Sequence, residues 1–267
     1  MDNILISILS MMGLGVFFAA ILAVADRTMG IKEDKNIAAI EDILPGLNCG
    51  ACGYAGCHSF AVALSNNGAE ATGCLPGGEE ASTKLAALLG IENKELIKSV
   101  AALHCNADFD KRKIYAEYKG IGTCQAANKV FGGGVACAYG CLGYGDCVKV
   151  CPFGAITMAN GLPVVNSVKC AACGKCVKAC PRGLYSIEKF TKDQITIVAC
   201  SSLDKGPTVR QACGVGCIAC KICEKLSGGV FEVKDNLACV HYDKAGPDTD
   251  WEKIINKCPT KVIVRVT

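Results

Sequence analysis

The chain has 267 residues, of which 21 are cysteine and one is tryptophan, and its formal net charge is +3. The modest charge and the lack of a long basic run argue against nucleic acid as a partner. The cysteine count is odd, and most cysteines are separated by two to five residues. This spacing suits ligands of a metal centre better than disulfide partners.

Residues 1–27 are predicted to form a transmembrane anchor. Ile4 to Ala25 is a run of 22 residues without a charge, long enough as a helix to cross a hydrocarbon core of roughly 30 Å. A cleaved signal peptide is the alternative, but its apolar core is typically shorter, roughly 7–15 residues. Lysine and arginine follow the run and none precedes it. The positive-inside rule therefore predicts a single-pass protein of the cell (inner) membrane with its body in the cytoplasm.

Residues 28–90 are predicted to form a small module with one [4Fe-4S] cluster. Apolar periodicity predicts a helix from Lys35 to Leu44, which Pro45 ends, and further helices over 55–64 and 84–90. The segment PGLNCGACGYAGC brings three cysteines together on a loop whose glycines let the backbone fold around a bulky centre. The predicted ligands are Cys49, Cys52, Cys57 and Cys74. Zinc is the alternative occupant of a four-cysteine site. Residues 91–133 are assigned as a connecting segment.

Residues 134–190 are predicted to form a two-cluster ferredoxin domain. Two arms, ACAYGCLGYGDCVKVCP and CAACGKCVKACP, each end in Cys-Pro. In bacterial two-cluster ferredoxins the fourth cysteine of each arm ligates the cluster of the other arm. The predicted ligand sets are Cys137, Cys141, Cys147 and Cys180 for one cluster and Cys151, Cys170, Cys173 and Cys176 for the other. Asn160-Gly161 between the arms predicts a β-hairpin.

Residues 191–267 are predicted to form a degenerate ferredoxin-like unit with one cluster, so that the overall fold class is α+β. CIACKIC and a distant Cys-Pro supply the predicted ligands, which are Cys217, Cys220, Cys223 and Cys258. Five cysteines remain, namely Cys105, Cys124, Cys200, Cys213 and Cys239. They are either buried or spare thiols, or the first four of them ligate a fifth cluster.

The order of these features resembles the B subunit of the Rnf complex. The resemblance rests on the apolar N-terminus, PGLNCGACGYAGC with Cys74, and the paired ferredoxin arms. It implies an electron-transfer subunit that carries several [4Fe-4S] clusters, accepts electrons from reduced ferredoxin and works with other subunits of a membrane-bound, ion-translocating ferredoxin:NAD⁺ oxidoreductase. The chain has no dinucleotide fingerprint. We therefore expect NAD to bind another subunit and expect no complete active site and no catalytic residue here.

Two other functions fit the same motifs. One is an anchored electron-transfer subunit of a different oxidoreductase, and the other is an iron–sulfur assembly or sensing protein. Basic residues beside the cluster loops are either an ordinary solvated surface or a docking surface for an acidic electron donor. These residues are Lys169, Lys175, Lys178, Arg182 and Lys221.

Overall fold

The first helix of the protein is long, apolar and exposed. This computed structural model describes residues 2–29, 35–91, 98–189, 195–246 and 249–266. Helix α1 spans Asp2–Met29, and its segment Ile4–Ala25 is not buried against any described part of the chain. The predicted helix is confirmed, and its length and composition are sufficient to cross a membrane.

The first cluster module is built from three helices. They are α2 (Lys35–Ile43), α3 (Cys57–Ser65) and α4 (Gly78–Leu89), with two short 3₁₀ turns over Ala71–Gly73 and Leu75–Gly77. The first two helices lie where the sequence predicts them, whereas α4 begins well before the predicted residue 84. Their apolar faces meet in a common core that holds the loop between α2 and α3 in place. The core contains Ile40, Leu44, Phe60, Leu64 and Leu85.

The ferredoxin-like unit consists of an outer strand pair and an inner hairpin. Strand β1 (Ser99–Leu103) pairs antiparallel with β4 (Tyr185–Lys189), and β2 (Ile156–Ala159) pairs antiparallel with β3 (Leu162–Val165). The Asn160-Gly161 turn of the inner hairpin is confirmed, with positive φ at both residues, 46° and 71°. Strand β1 precedes the predicted boundary at residue 134, so the segment assigned as a connector supplies an outer strand.

Three short helices carry the cysteine loops of this unit. They are α5 (Cys124–Lys129), α6 (Asp146–Lys149) and α7 (Lys175–Ala179). Helix α5 begins with Cys124, and the Thr123 hydroxyl caps it by accepting a hydrogen bond from the Ala126 N–H at 3.2 Å. The N-terminal end of each helix is thus close to a cysteine.

The C-terminal unit repeats the same strand order. Strand β5 (Ile195–Val198) pairs antiparallel with β8 (Ile263–Val266), and β6 (Phe231–Lys234) forms a hairpin with β7 (Leu237–Val240). Its helices are α8 (Gly206–Ala212), α9 (Ile222–Leu226) and α10 (Trp251–Lys257). The unit therefore keeps the outer pair and inner hairpin, although its two arms contain fewer cysteines.

The segment that follows β1 joins the two units. The His104 ring bonds to the Val198 carbonyl at 2.9 Å through Nδ1 and to the Ser186 hydroxyl at 2.7 Å through Nε2. Further along, the Lys113 N–H donates to the Ala212 carbonyl at 3.1 Å. These contacts place residues 104–113 between the units, where three of the sequence-remote cysteines come together.

Candidate metal centres

Every cysteine except Cys239 lines one of five cavities, which we name sites A to E. Cys239 is exposed on β7. Among the described residues, no three Cys, His, Asp or Glu side chains lie close enough together to hold one metal ion. The thiols surround cavities instead, an arrangement suited to a cube of iron and sulfide held at its corners.

Site A lies in the first module. It is a cavity of about 310 Å³. The Asn48 side chain closes the ligand loop, because its Oδ1 accepts a hydrogen bond from the Cys57 N–H at 2.7 Å. A Cβ at Gly56 would lie only 2.7 Å from that oxygen, so a larger residue there would displace the Asn48 side chain from this bond. The lining cysteines are the four predicted ones, Cys49, Cys52, Cys57 and Cys74.

Site B lies between the two ferredoxin arms. It is a cavity of about 320 Å³. Strand β1 contributes to it, because the Ala101 N–H points at the Cys170 sulfur at 3.4 Å. Backbone N–H groups of this kind stabilise the negative charge of thiolate ligands and tune a cluster's reduction potential. Its cysteines are the predicted set, Cys151, Cys170, Cys173 and Cys176.

Site E lies in the C-terminal unit. It is a cavity of about 350 Å³, and Cys258 enters it from the end of α10. Cys220 is exposed to solvent, so this site approaches the protein surface. Its cysteines are again the predicted set, Cys217, Cys220, Cys223 and Cys258.

Site C holds a different cysteine set from the one predicted for the other ferredoxin cluster. It is a cavity of about 390 Å³. The cysteines that line it are Cys124, Cys141, Cys147 and Cys180. Three of these were predicted together, but Cys137 does not line the cavity and Cys124 does. Sequence reasoning placed Cys124 elsewhere because no short motif links it to the ferredoxin arms.

Site D lies between the two ferredoxin-like units and is the largest of the five, about 530 Å³. Three of the four residues considered for a fifth cluster meet here, whereas Cys124 is at site C. Cys141 lies at the boundary between sites C and D and lines both. The cysteines around site D are Cys105, Cys137, Cys141, Cys200 and Cys213.

Burial in these cavities opposes the ionisation of the cysteine thiols. Burial raises the pKa of Cys176 at site B to about 12, and the neighbouring Cys170 and Cys173 thiols contribute to that increase. Burial likewise raises the pKa of Cys223 at site E to about 11, against the opposing effect of the Glu224 N–H. Four thiolates in one such cavity need a positively charged centre to balance them. The donor set, the N–H groups and the burial all fit an iron–sulfur cluster.

Two arginine side chains lie beside sites C and D. Arg182 Nη1 donates to the carbonyls of Cys137 at 2.8 Å and Gly140 at 2.6 Å, and Nη2 donates to Gly132 at 3.1 Å. Arg112 is buried, and its guanidinium donates to the carbonyls of Cys141 and Gly161. Burial lowers the pKa of Arg182, while the thiols of both sites oppose that effect. The two cations hold the ligand loops and place positive charge beside the thiols.

Sites A, B and C lie near one another. The pKa of Cys173 at site B is raised by burial and also by Cys49 of site A, so these two thiols are close together. Tyr185 packs against Cys176 of site B and Cys147 of site C in one buried cluster. Burial raises the pKa of Tyr185 strongly, and the Cys147 thiol adds to the shift. Sites A, B and C therefore follow one another.

The series continues through site D. The Cys141 N–H at site C points at the Cys105 sulfur of site D at 3.4 Å. The Cys217 N–H at site E points at the Cys200 sulfur of site D at 3.4 Å. The five sites thus form one series, A to E, in which D connects the ferredoxin-like units.

Comparisons with known families agree with this architecture. Residues 44–76, around site A, match the family described as "Putative Fe-S cluster". Residues 136–185 match the 4Fe-4S dicluster domain. Both matched ranges contain cysteine loops described above.

Near full-length relatives are named consistently as the B subunit of one kind of complex. The chain is 37% identical over 267 residues to the B subunit of the ion-translocating oxidoreductase complex of Methanosarcina acetivorans, covering 98% of this chain and 99% of that protein. It is 36% identical to the B subunit of the proton-translocating ferredoxin:NAD(+) oxidoreductase complex of Clostridium ljungdahlii, covering 98% and 93%. It is 35% identical to the B subunit of the Na(+)-translocating ferredoxin:NAD(+) oxidoreductase complex of Acetobacterium woodii, covering 93% and 74%. The chain therefore belongs to the family of Rnf B subunits, as an electron-transfer iron–sulfur subunit of an ion-translocating ferredoxin:NAD⁺ oxidoreductase.

Proposed function

We propose that this subunit accepts electrons from reduced ferredoxin and relays them, one at a time, to other subunits of the complex. The observation that carries the proposal is the succession of cysteine-lined sites, in which packing joins B to C and N–H groups directed at sulfur join C to D and D to E. A bound [4Fe-4S] cluster supplies the redox chemistry, since it takes up and releases single electrons. The chain's own residues hold the clusters, bury them and place N–H groups at the sulfurs.

Sites A, B and E are each lined by a complete set of four predicted ligands, which supports a cluster at each of them. Site C is lined by three of its four predicted ligands, which supports a fourth cluster there. At site C the fourth thiolate is Cys137 according to the ferredoxin motif and Cys124 according to the cavity lining. Four clusters account for sixteen thiolates, because each [4Fe-4S] cluster takes four. The reaction needs no side-chain acid, base or nucleophile.

Helix α1 is proposed to anchor the subunit in the cell membrane with the cluster units on the cytoplasmic side. The exposed apolar surface of Ile4–Ala25 supports insertion, because burying it in lipid removes it from water. The lysines and arginines that follow the run support the orientation. A cytoplasmic position also suits thiolate ligands, which stay reduced there.

Docking of an acidic ferredoxin is proposed to use lysines at the cluster loops. Lys175 lines site B and Lys178 is exposed on the same helix, α7. Lys221 lines site E, is exposed, and lies 3.7 Å from the Glu224 carboxylate. The lysines thus mark two separate entry points, and positive charge at either would speed the encounter with an anionic donor.

The test compares charge reversal at the two entry points. Lys175→Glu/Lys178→Glu and Lys221→Glu are assayed separately for the rate of reduction by limiting reduced ferredoxin, over a range of ionic strength. We expect about a tenfold or greater loss in the variant at the true entry point and a rate that falls with salt in the wild type. Lys84→Glu, on the exposed face of α4 and outside the site A lining, is the matched control. Equal rates in all variants and a flat salt response would exclude lysine-guided docking.

A further inference from the structure

Site D has the features of a cluster site rather than of a group of spare thiols. Its thiols come from four separate segments, yet they share one cavity. Backbone N–H groups point at their sulfurs, from Cys141 to Cys105 at 3.4 Å, and from Ser202 and Cys217 to Cys200 at 3.5 Å and 3.4 Å. A spare thiol in an apolar core needs no such donors, whereas a thiolate ligand does.

Each cysteine can be used once only, and this decides how sites C and D are divided. Site C has four cysteines and needs all of them, including Cys141. Site D then keeps four of its five, one of which is Cys137. Cys137 lines the same cavity as Cys105 and Cys213 and does not line site C.

Helix α5 is tied to the ferredoxin arms in a way that presents Cys124 to site C. Gln125, the next residue, is anchored to both arms. Its N–H donates to the Asp146 carboxylate at 3.1 Å, directly before Cys147 in the sequence. Its side-chain amide donates to the Ala179 carbonyl at 3.5 Å, directly before Cys180. These bonds position Cys124 beside two other cysteines of site C.

We propose that site D binds a fifth [4Fe-4S] cluster and that Cys124 is the fourth ligand of site C. The ligands of the fifth cluster are Cys105, Cys137, Cys200 and Cys213. The fifth cluster is the link through which electrons pass between the two ferredoxin-like units, since D is the site in contact with both C and E. The proposal rests on the proposed binding of clusters at the other four sites.

The first test is the iron and sulfide content of the full-length wild-type chain, purified anaerobically in detergent. Five clusters give about 20 irons and 20 sulfides per chain, and four give about 16 of each. About 20 is expected, and about 16 overturns the fifth cluster. The measurement uses no ferredoxin, so an error about the electron donor would leave its outcome unaffected.

The second test assigns the ligands by pairing cysteine variants. Cys137→Ala, Cys213→Ala and the double variant should each lose the same four or so irons and the same EPR signal, because both residues bind one cluster. Cys124→Ala and Cys180→Ala should likewise lose one shared centre, different from the first. Cys239→Ala, at the exposed cysteine outside all five sites, should keep about 20 irons.

A different pattern of iron loss would assign Cys137 to site C. If Cys137→Ala/Cys213→Ala loses about eight irons while Cys137→Ala/Cys180→Ala loses about four, the proposed division of the two sites is wrong. The EPR signals of the remaining centres report whether each variant is folded. If a variant fails to assemble, the iron and sulfide content of the wild-type chain still tests whether a fifth cluster is present.

Discussion

Replacing Arg182 tests how the protein sets the potentials of the clusters proposed at sites C and D. The half-buried guanidinium lies beside the thiols of sites C and D and also holds their loops, through Asn128 Oδ1 at 3.1 Å and three backbone carbonyls. Arg182→Gln removes the charge and most of these bonds. Arg182→Lys keeps the charge but cannot reach all four acceptors with one ammonium group.

The expected size of the effect follows from the Coulomb interaction. At about 8 Å and an effective dielectric constant near 20, one charge stabilises an added electron by about 2 kcal/mol. For a one-electron couple this corresponds to roughly 90 mV, and solvent screening on the exposed side reduces it by up to about half. We therefore expect a fall of about 50–90 mV in Arg182→Gln. The lost hydrogen bonds, which leave carbonyls without their charged donor, should also destabilise the fold by about 3 kcal/mol.

The assay is an EPR-monitored redox titration of the full-length chain together with its iron content. Arg182→Gln should lower the potentials of the centres at sites C and D and leave the centre at site A unchanged. In Arg182→Lys the reduction potentials at sites C and D should stay close to the wild-type values, because the charge is kept, while the free energy of unfolding should fall. Lys84→Gln, which removes an exposed charge from α4, is the control and should shift none of the centres. Unchanged potentials in an Arg182→Gln protein with full iron content would refute the electrostatic argument.

Three further predictions concern the anchor, a buried hydroxyl and a helix cap. A reporter enzyme fused after Thr267 should be active in the cytoplasm, and activity in the periplasm would contradict the proposed orientation. The Tyr185 hydroxyl is buried, has no hydrogen-bond partner among the described residues, and lies beside the Cys147 thiol. Tyr185→Phe should therefore lower the potential of the site C centre in a redox titration, and an unchanged value would exclude an O–H···S bond to that ligand. Asp250→Ala removes the N-cap of α10 and should cost about 1 kcal/mol in a denaturant titration. The exposed Asp243→Ala should cost much less, and equal losses would contradict a capping role.

Short-range spacing predicted which cysteines share a cavity wherever those cysteines follow one another closely in the sequence. At site B, Cys170 and Cys173 lie on one loop and Cys176 lies in the first turn of α7, so seven consecutive residues carry three cysteines of a single cavity. The Asn160-Gly161 turn was likewise predictable, because only a few residue types tolerate positive φ at both positions. The apolar run over 4–25 was enough to predict a long helix.

The sequence alone could not show which cysteines belong to site C and which belong to site D. Cys137 is four residues before Cys141, so a local rule assigns both to one cluster, yet the loop turns so that Cys137 lines site D. The turn depends on Arg182, which is distant in the sequence and binds the carbonyls of Cys137 and Gly140. A spacing rule contains no information about such a contact.

The family, the cluster chemistry and the expected ligands of sites A, B and E all follow from the order of residues along the chain. Most of these ligands are carried by motifs in which neighbouring cysteines share one centre, so little long-range information is needed to predict them. The meeting of Cys105, Cys200 and Cys213 is different, because it emerges only when the chain is folded. It depends on β1 pairing with β4, on β5 pairing with β8, and on residues 104–113 joining the two units. Pairing between remote strands depends on side-chain packing across the whole unit, which no local pattern specifies.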